Sequence, residues 1–202
     1  VQLVADGQAR AAITATVRDI NNNLVPSQTV AFRSLTRGTI APLSARTDAL
    51  GVATATYTAS TTAGTVTVRA QAGVVTKTVD IAVVAGPART ATLLATPPSL
   101  VADNSMTSTV KITVRDQFNN PVINRTVLFS ATLGTVTPRL PRTDASGVAT
   151  TTFKAGRVAG AGIVTATIES VVVTRTIALR AGPPVTLTLT VSPTAIQANG
   201  ST

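Results

Sequence analysis

Tandem two-sheet β-sandwiches, all-β throughout, are the fold this sequence predicts, and three observations predict it. The apolar residues are chiefly Val, Ala, Leu and Ile, interleaved with Thr and punctuated by 13 Gly and 11 Pro, the composition of short strands joined by turns. Apolar and polar residues alternate with a period of two in segment after segment, so each strand has one buried and one wet face. The chain also repeats itself: "RTDALGVATATY" (Arg46–Tyr57) returns as "RTDASGVATTTF" (Arg142–Phe153). No stretch of about 12 residues carries a helical period free of Gly, Pro and β-branched runs.

The repeat extends well beyond that phrase. "LVADGQ" (Leu3–Gln8) pairs with "LVADNS" (Leu100–Ser105), and "ITATVRD" (Ile13–Asp19) with "VKITVRD" (Val110–Asp116). "NNNLVPSQTVAF" (Asn21–Phe32) pairs with "FNNPVINRTVLF" (Phe118–Phe129), and "VVTKTVDI" (Val74–Ile81) with "VVTRTIAL" (Val172–Leu179). A third copy begins where "AGPARTATLLATPPSL" (Ala85–Leu100) is echoed by "AGPPVTLTLTVSPTAI" (Ala181–Ile196). The offset stays between 96 and 98 positions, too long for a solenoid repeat and right for a whole small domain. The sequence thus divides into a repeat over 1–86 that lacks its first strand, a repeat over 87–182, and the start of a third over 183–202.

Taken in order, the elements of one repeat are these. Val110, Ile112 and Val114 alternate with Lys111, Thr113 and Arg115, as Ile13, Ala15 and Val17 do earlier. "DINNN" and "DQFNNP" then turn, because Asp and Asn tolerate left-handed backbone and bond to nearby N–H groups. "TVLF" follows with Val127 and Phe129 facing inward. "TDASG" is a tight turn with Gly147 (Gly51 earlier) as its permissive residue. After it Ala149, Thr151 and Phe153 share one face. "IVTATI" and "VVVTRTIAL" complete about seven strands, the pattern of an immunoglobulin-like sandwich with Greek-key connections.

The pair of cysteines flanking a tryptophan that marks antibody domains is absent. The succession "TVRDQFNNPVINRTVLF…GTV…TDASGVATTTF…AGIVTAT", with its earlier partner, instead resembles the bacterial immunoglobulin-like repeats of the intimin/invasin type. The likeness covers nearly all of both repeats, although "NNNLVP" departs from the family's usual Gly followed by Pro-Val. The resemblance implies an extracellular rod of stacked domains at a bacterial surface. The function read from this is a semi-rigid stalk in adhesion; a filament or surface-layer subunit is the alternative, and a carbohydrate-binding module the third.

Composition narrows the chemistry. There is no Cys and no His, which removes thiol chemistry, Cys-based metal sites and a Ser–His–Asp nucleophile. The acids are spread one per turn or strand, so the sequence nominates no catalytic, cofactor-binding or metal residue and no cofactor, and it reads as non-enzymatic. Asp6, Asp19, Asp48, Asp103, Asp116 and Asp144 recur at turns. One carboxylate per turn suits a turn former better than a Ca²⁺ ligand. Asn21, Asn22, Asn119 and Asn120 read as turn residues too. The net charge of +9 permits an anionic surface polysaccharide as partner. Dispersed cations with few aromatics do not make a specific nucleic-acid site. The other partners are neighbouring repeats and, in a fibre, identical chains. A sugar-binding platform needs exposed aromatics, and of the four Phe and one Tyr only Phe118 is off a core phase. Lys77, Lys111 and Lys154 are poor candidates for Lys–Asn cross-links, and Asn124 and Asn199 are glycosylation sequons by pattern alone.

No run approaches the roughly 18 consecutive apolar residues of a membrane span. No leader peptide is visible, though the chain opens in mid-phrase. Only "AGPA" (Ala85–Ala88) and "AGPP" (Ala181–Pro184) join the repeats, which predicts limited freedom between them. Val1 aligns with Pro98, so the strand equivalent to Pro87–Pro97 is missing from the first repeat. The expectation is a window of a continuous array. The alternative is that Pro183–Ile196 acts as a donor strand for another copy.

Overall fold

The computed structural model describes residues 1–192 and Gly200. The strands are β1 (Gln2–Val4), β2 (Arg10–Thr16), β3 (Thr29–Ser34), β4 (Thr39–Ala41), β5 (Ser44–Arg46), β6 (Val52–Thr58), β7 (Gly64–Ala72) and β8 (Val75–Val84). They continue as β9 (Thr90–Thr96), β10 (Ser99–Val101), β11 (Thr107–Arg115), β12 (Leu128–Ala131), β13 (Gly134–Thr137), β14 (Val148–Ala155), β15 (Gly160–Ile168) and β16 (Val171–Arg180). No helix occurs among the described residues.

The strands form two sandwiches. The first packs the sheet β1-β8-β7-β3-β5 on β2-β6-β4, and the second packs β10-β16-β15-β12 on β13-β14-β11-β9. Within each sheet the neighbours run antiparallel, except that β1 lies parallel to β8 and β10 parallel to β16. Pro97 and Pro98, which have no N–H to donate, end the β9 ladder where the chain leaves one sheet for the other.

Period two places the cores as the alternation predicts. Val110, Ile112 and Val114 of β11 are fully buried, as are Val127, Phe129 and Phe153. Phe32 and Tyr57 hold the corresponding places in the first sandwich. Each core draws residues from both of its sheets, so neither sheet is stable as a core without the other. Buried polar side chains are few, and among the described residues each buried side-chain N or O atom has a hydrogen-bond partner.

The two sandwiches differ at two edges: β5 extends the first beside β3, where the second has only an isolated bridge between Thr126 and Arg142. β11 pairs with β14 on one side and β9 on the other, whereas β2 pairs with β6 alone. The segment expected to open a third repeat is described as far as Ser192. Pro183–Ser192 forms no strand, and Val185, Leu187, Leu189 and Val191 are exposed. Residues 193–196 of the expected donor strand, and the Asn199 sequon, lie outside the described residues.

Candidate functional site at the junction of the sandwiches

The twice-written phrase builds a corner of each sandwich. Arg142 donates from Nη1 to the Asn124 carbonyl at 2.9 Å, and Arg46 to that of Ser27 at 3.1 Å. Thr143 and Thr47 are buried. Thr143 Oγ1 accepts the Arg125 N–H at 2.9 Å, and Thr47 Oγ1 accepts that of Gln28 at 2.9 Å while donating to the Val25 carbonyl at 2.7 Å. Asp144 Oδ1 accepts the N–H groups of Ser146 and Val148, and Asp48 Oδ1 those of Leu50 and Val52. Gly147 and Gly51 then turn at φ of 75° and 68°. A Cβ on Gly147 would stand 2.6 Å from the Val114 carbonyl oxygen, so any other residue there is strained as well as crowded.

The other turn aspartates act alike. Asp6 Oδ1 accepts from Gln8 and Ala9, and Asp103 Oδ1 from Ser105 and Met106. These bonds hold both carboxyls below the usual carboxylate range. No group of three or more acidic side chains converges among the described residues.

Asp116 and Asn120 do more than turn the chain. They close β11 with Asn119 left-handed at φ 65°, and they are only 3% and 5% exposed. Asp116 Oδ1 accepts the N–H groups of Phe118 and Asn120, both at 2.8 Å. Its Oδ2 accepts the Asn120 side-chain amide at 2.9 Å and the Gly86 N–H at 3.0 Å. Asn120 then reaches into the first sandwich. Its Oδ1 accepts the Ala63 N–H at 2.9 Å, and its Nδ2 donates to the Thr61 carbonyl at 2.9 Å. Thr61 and Ala63 lie in the loop between β6 and β7, so two side chains of one sandwich hold a loop of the other and the linker between them.

Linker contacts continue on the far side. Glu169, the one glutamate in the chain, sits in the β15–β16 turn at φ 50°. Its Oε2 accepts the Ala88 N–H at 2.8 Å, and its Oε1 lies 3.6 Å from Arg125 Nε. Ala85 and Ala88 are buried. The Asp116 carboxyl feels opposing influences: burial pushes it up, and the Asn120 amide with the N–H groups of Asn120, Gly86 and Phe118 outweighs that and holds it low.

The first sandwich carries the same turn exposed. Asp19 Oδ1 accepts the N–H groups of Asn21 and Asn23, Asn23 Nδ2 donates to Asp19 Oδ2 at 2.9 Å, and Asn22 is left-handed at φ 67°. Reading Asn120 as a turn residue alone therefore missed its second role. The letters of the two turns are nearly alike, and only the neighbouring loop separates a solvated turn from a buried clamp. Phe118 lies in the clamp turn, partly exposed. Lys77, Lys111 and Lys154 are exposed.

A family profile described as a bacterial Ig-like domain (group 1) matches residues 1–84, and one described as invasin, domain 3, matches residues 88–182. The chain belongs to the bacterial immunoglobulin-like repeats of the intimin/invasin type. These repeats lie outside the cell, at the bacterial surface. The inverse autotransporter adhesin YeeJ of Escherichia coli (strain K12) is 33% identical over 181 residues, 86% of this chain and 8% of that protein. The chain thus spans less than a tenth of the curated relative it matches. Among solved structures, invasin, described as a bacterial integrin-binding protein, matches 91% of this chain and 38% of its own at 25% identity and TM-score 0.51. InvD of Yersinia pseudotuberculosis matches 93% of this chain and 58% of its own at 23% identity and TM-score 0.72, a likeness of fold.

Proposed function

We propose that this chain is a non-enzymatic stalk segment of a bacterial surface adhesin, in which successive repeats hold one another at restricted angles. The division that goes with it is 1–86, 87–182 and the start of a third repeat at 183–202. The observation that supports this reading is the clamp of Asn120 and Asp116 on Thr61, Ala63 and Gly86. Hydrogen bonds to buried, partly charged groups resist loosening, because breaking them leaves polar atoms without partners. A freely jointed pair would need a flexible Gly/Ser linker and a solvated surface. The Asp19–Asn23 turn offers the same grip to another repeat, so neighbouring repeats are the partners this reading favours.

The absence of cysteine makes the test simple. Spin labels on Thr54→Cys and Thr150→Cys, both on exposed faces, report the distance between the sandwiches. A stalk gives one narrow distance distribution, and Asn120→Ala broadens it. A distribution already broad in the parent chain would sink the reading.

A further inference from the structure

The cations of this chain have few counter-ions. Of its 17 Lys and Arg residues, only Arg125 forms an ion pair among the described residues. Arg18, Arg37, Arg46 and Arg142 donate instead to backbone carbonyls. Arg33 and Arg69 have neither kind of partner among the described residues, and the register of β3 and β7 sets them directly opposite one another on the outward face of the sheet. Side chains so paired start about 5 Å apart, and like charges there repel. The one carboxylate on the strands of this sheet, Asp80, stands opposite Thr67 and accepts its hydroxyl at 2.7 Å.

The fold does not require this pair. In the second sandwich Phe129 opposite Ala166 repeats Phe32 opposite Ala70, and the next outward pair is Ser130 opposite Thr165. Nor does an open edge create it. β7 and β3 are inner strands of the five-stranded sheet, with β8 on one side of them and β5 on the other. Beside the two arginines the outer face is hollowed to about 440 Å³, lined also by Ala31, Leu43 and Gln71. Leu43 is 68% exposed. A third cation shares the face. Arg46 on β5 lies opposite Thr29, four residues along β3 from Arg33, or about 13 Å along the sheet.

We propose that this hollow is a carboxylate-binding site, and that its ligand is a polyuronate, an acidic polysaccharide outside the cell. Two guanidiniums side by side match the paired oxygens of a carboxylate. The further cation on the same face favours a repeating anion over a single one. Leu43 and Ala31 offer apolar surface to the C–H face of a sugar ring, and the Gln71 amide can donate to or accept from a hydroxyl. Phe32 beneath the hollow is buried, so no ring is exposed there to stack on a neutral sugar, and charge carries the recognition. The site stands on the flank of the first sandwich, and the inference is independent of the stalk reading.

Titration of fluorescently labelled polygalacturonate with the 202-residue chain, followed by anisotropy, tests it, with labelled neutral dextran as the comparison. Saturable binding of the polyuronate and none of the dextran is expected. Arg33→Ser/Arg69→Thr, which writes in the pair the second sandwich carries, should weaken that binding roughly tenfold or more. Lys111→Thr/Lys154→Thr, which removes as many charges from exposed positions of the other sandwich, should bind like the parent. A parent chain that leaves the polyuronate free overturns the proposal, as does one that binds dextran equally well. Equal weakening by the two double variants also overturns it, because the contact would then be a matter of net charge alone.

Discussion

Phe129 comes from β12 and Phe153 from β14, one from each sheet, and together with Val127 and Ile112 they fill the middle of the second core. Truncating Phe129 to Ala removes a ring that its neighbours cannot replace, and about 3–5 kcal/mol of unfolding free energy should go with it in a denaturant titration. A loss below about 1 kcal/mol would mean that the ring is not where the alternation places it. At the same scale, the turn aspartates spend both the charge and the geometry of their carboxylates on backbone N–H groups two to four residues on. Chelation with EDTA should therefore leave the melting temperature unchanged. A fall of many degrees would require a cation among these turns. Both assignments were legible in the letters, because each depends on local spacing: period two for the phenylalanines, and Asp followed by Gly or Asn for the turns.

Elements meet where the letters say less. The clamp turn after β11 and the exposed turn after β2 share Asp, two Asn and a left-handed fourth residue, yet one is buried and the other solvated. What separates them is the β6–β7 loop, brought to Asn120 by the fold of a different sandwich 57 positions away from it in sequence. A pattern read along one repeat has no access to that contact. The longer strands, their inward faces and the short linker were readable; the short strands β1, β5 and β10 and the grip between repeats were not. Its pH dependence follows from Asp116. The folded carboxyl lies below its unfolded value of about 3.9, so its contribution is complete above that value and fades as pH falls through the folded pKa. Labels across the junction should report a narrow distance at neutral pH and a broader one in acid. Asp116→Asn should flatten that acid response, and an unchanged response in this variant would remove Asp116 from the account.

Across the whole molecule, the parallel pairs matter most when the chain is under load. β9 brings the chain into the second sandwich and, past Pro97 and Pro98, it continues into β10 in the opposite sheet; β16 leaves it, and β10 and β16 run in the same direction with Ser99, Leu100 and Val101 beside Ala178, Leu179 and Arg180. β1 and β8 repeat the arrangement. Tension applied through the ends draws β10 backward and β16 forward along a common line. The bonds between them, including Ala102 N–H to Arg180 O at 2.9 Å and Ala178 N–H to Pro98 O at 3.0 Å, are then strained together in shear. An antiparallel terminal pair pulled the same way would open one bond at a time, like a zipper. A proline at Ala102 removes the donor of the bond to the Arg180 carbonyl, and single-molecule pulling should find that the second sandwich of Ala102→Pro yields at a lower force while the first is unchanged. Equal rupture forces before and after the substitution would place the mechanical resistance elsewhere. A surface protein in flowing liquid is tugged far more often than it is heated, and in this fold the last strand of each sandwich is held by a short parallel strand near its start, the pair set to resist.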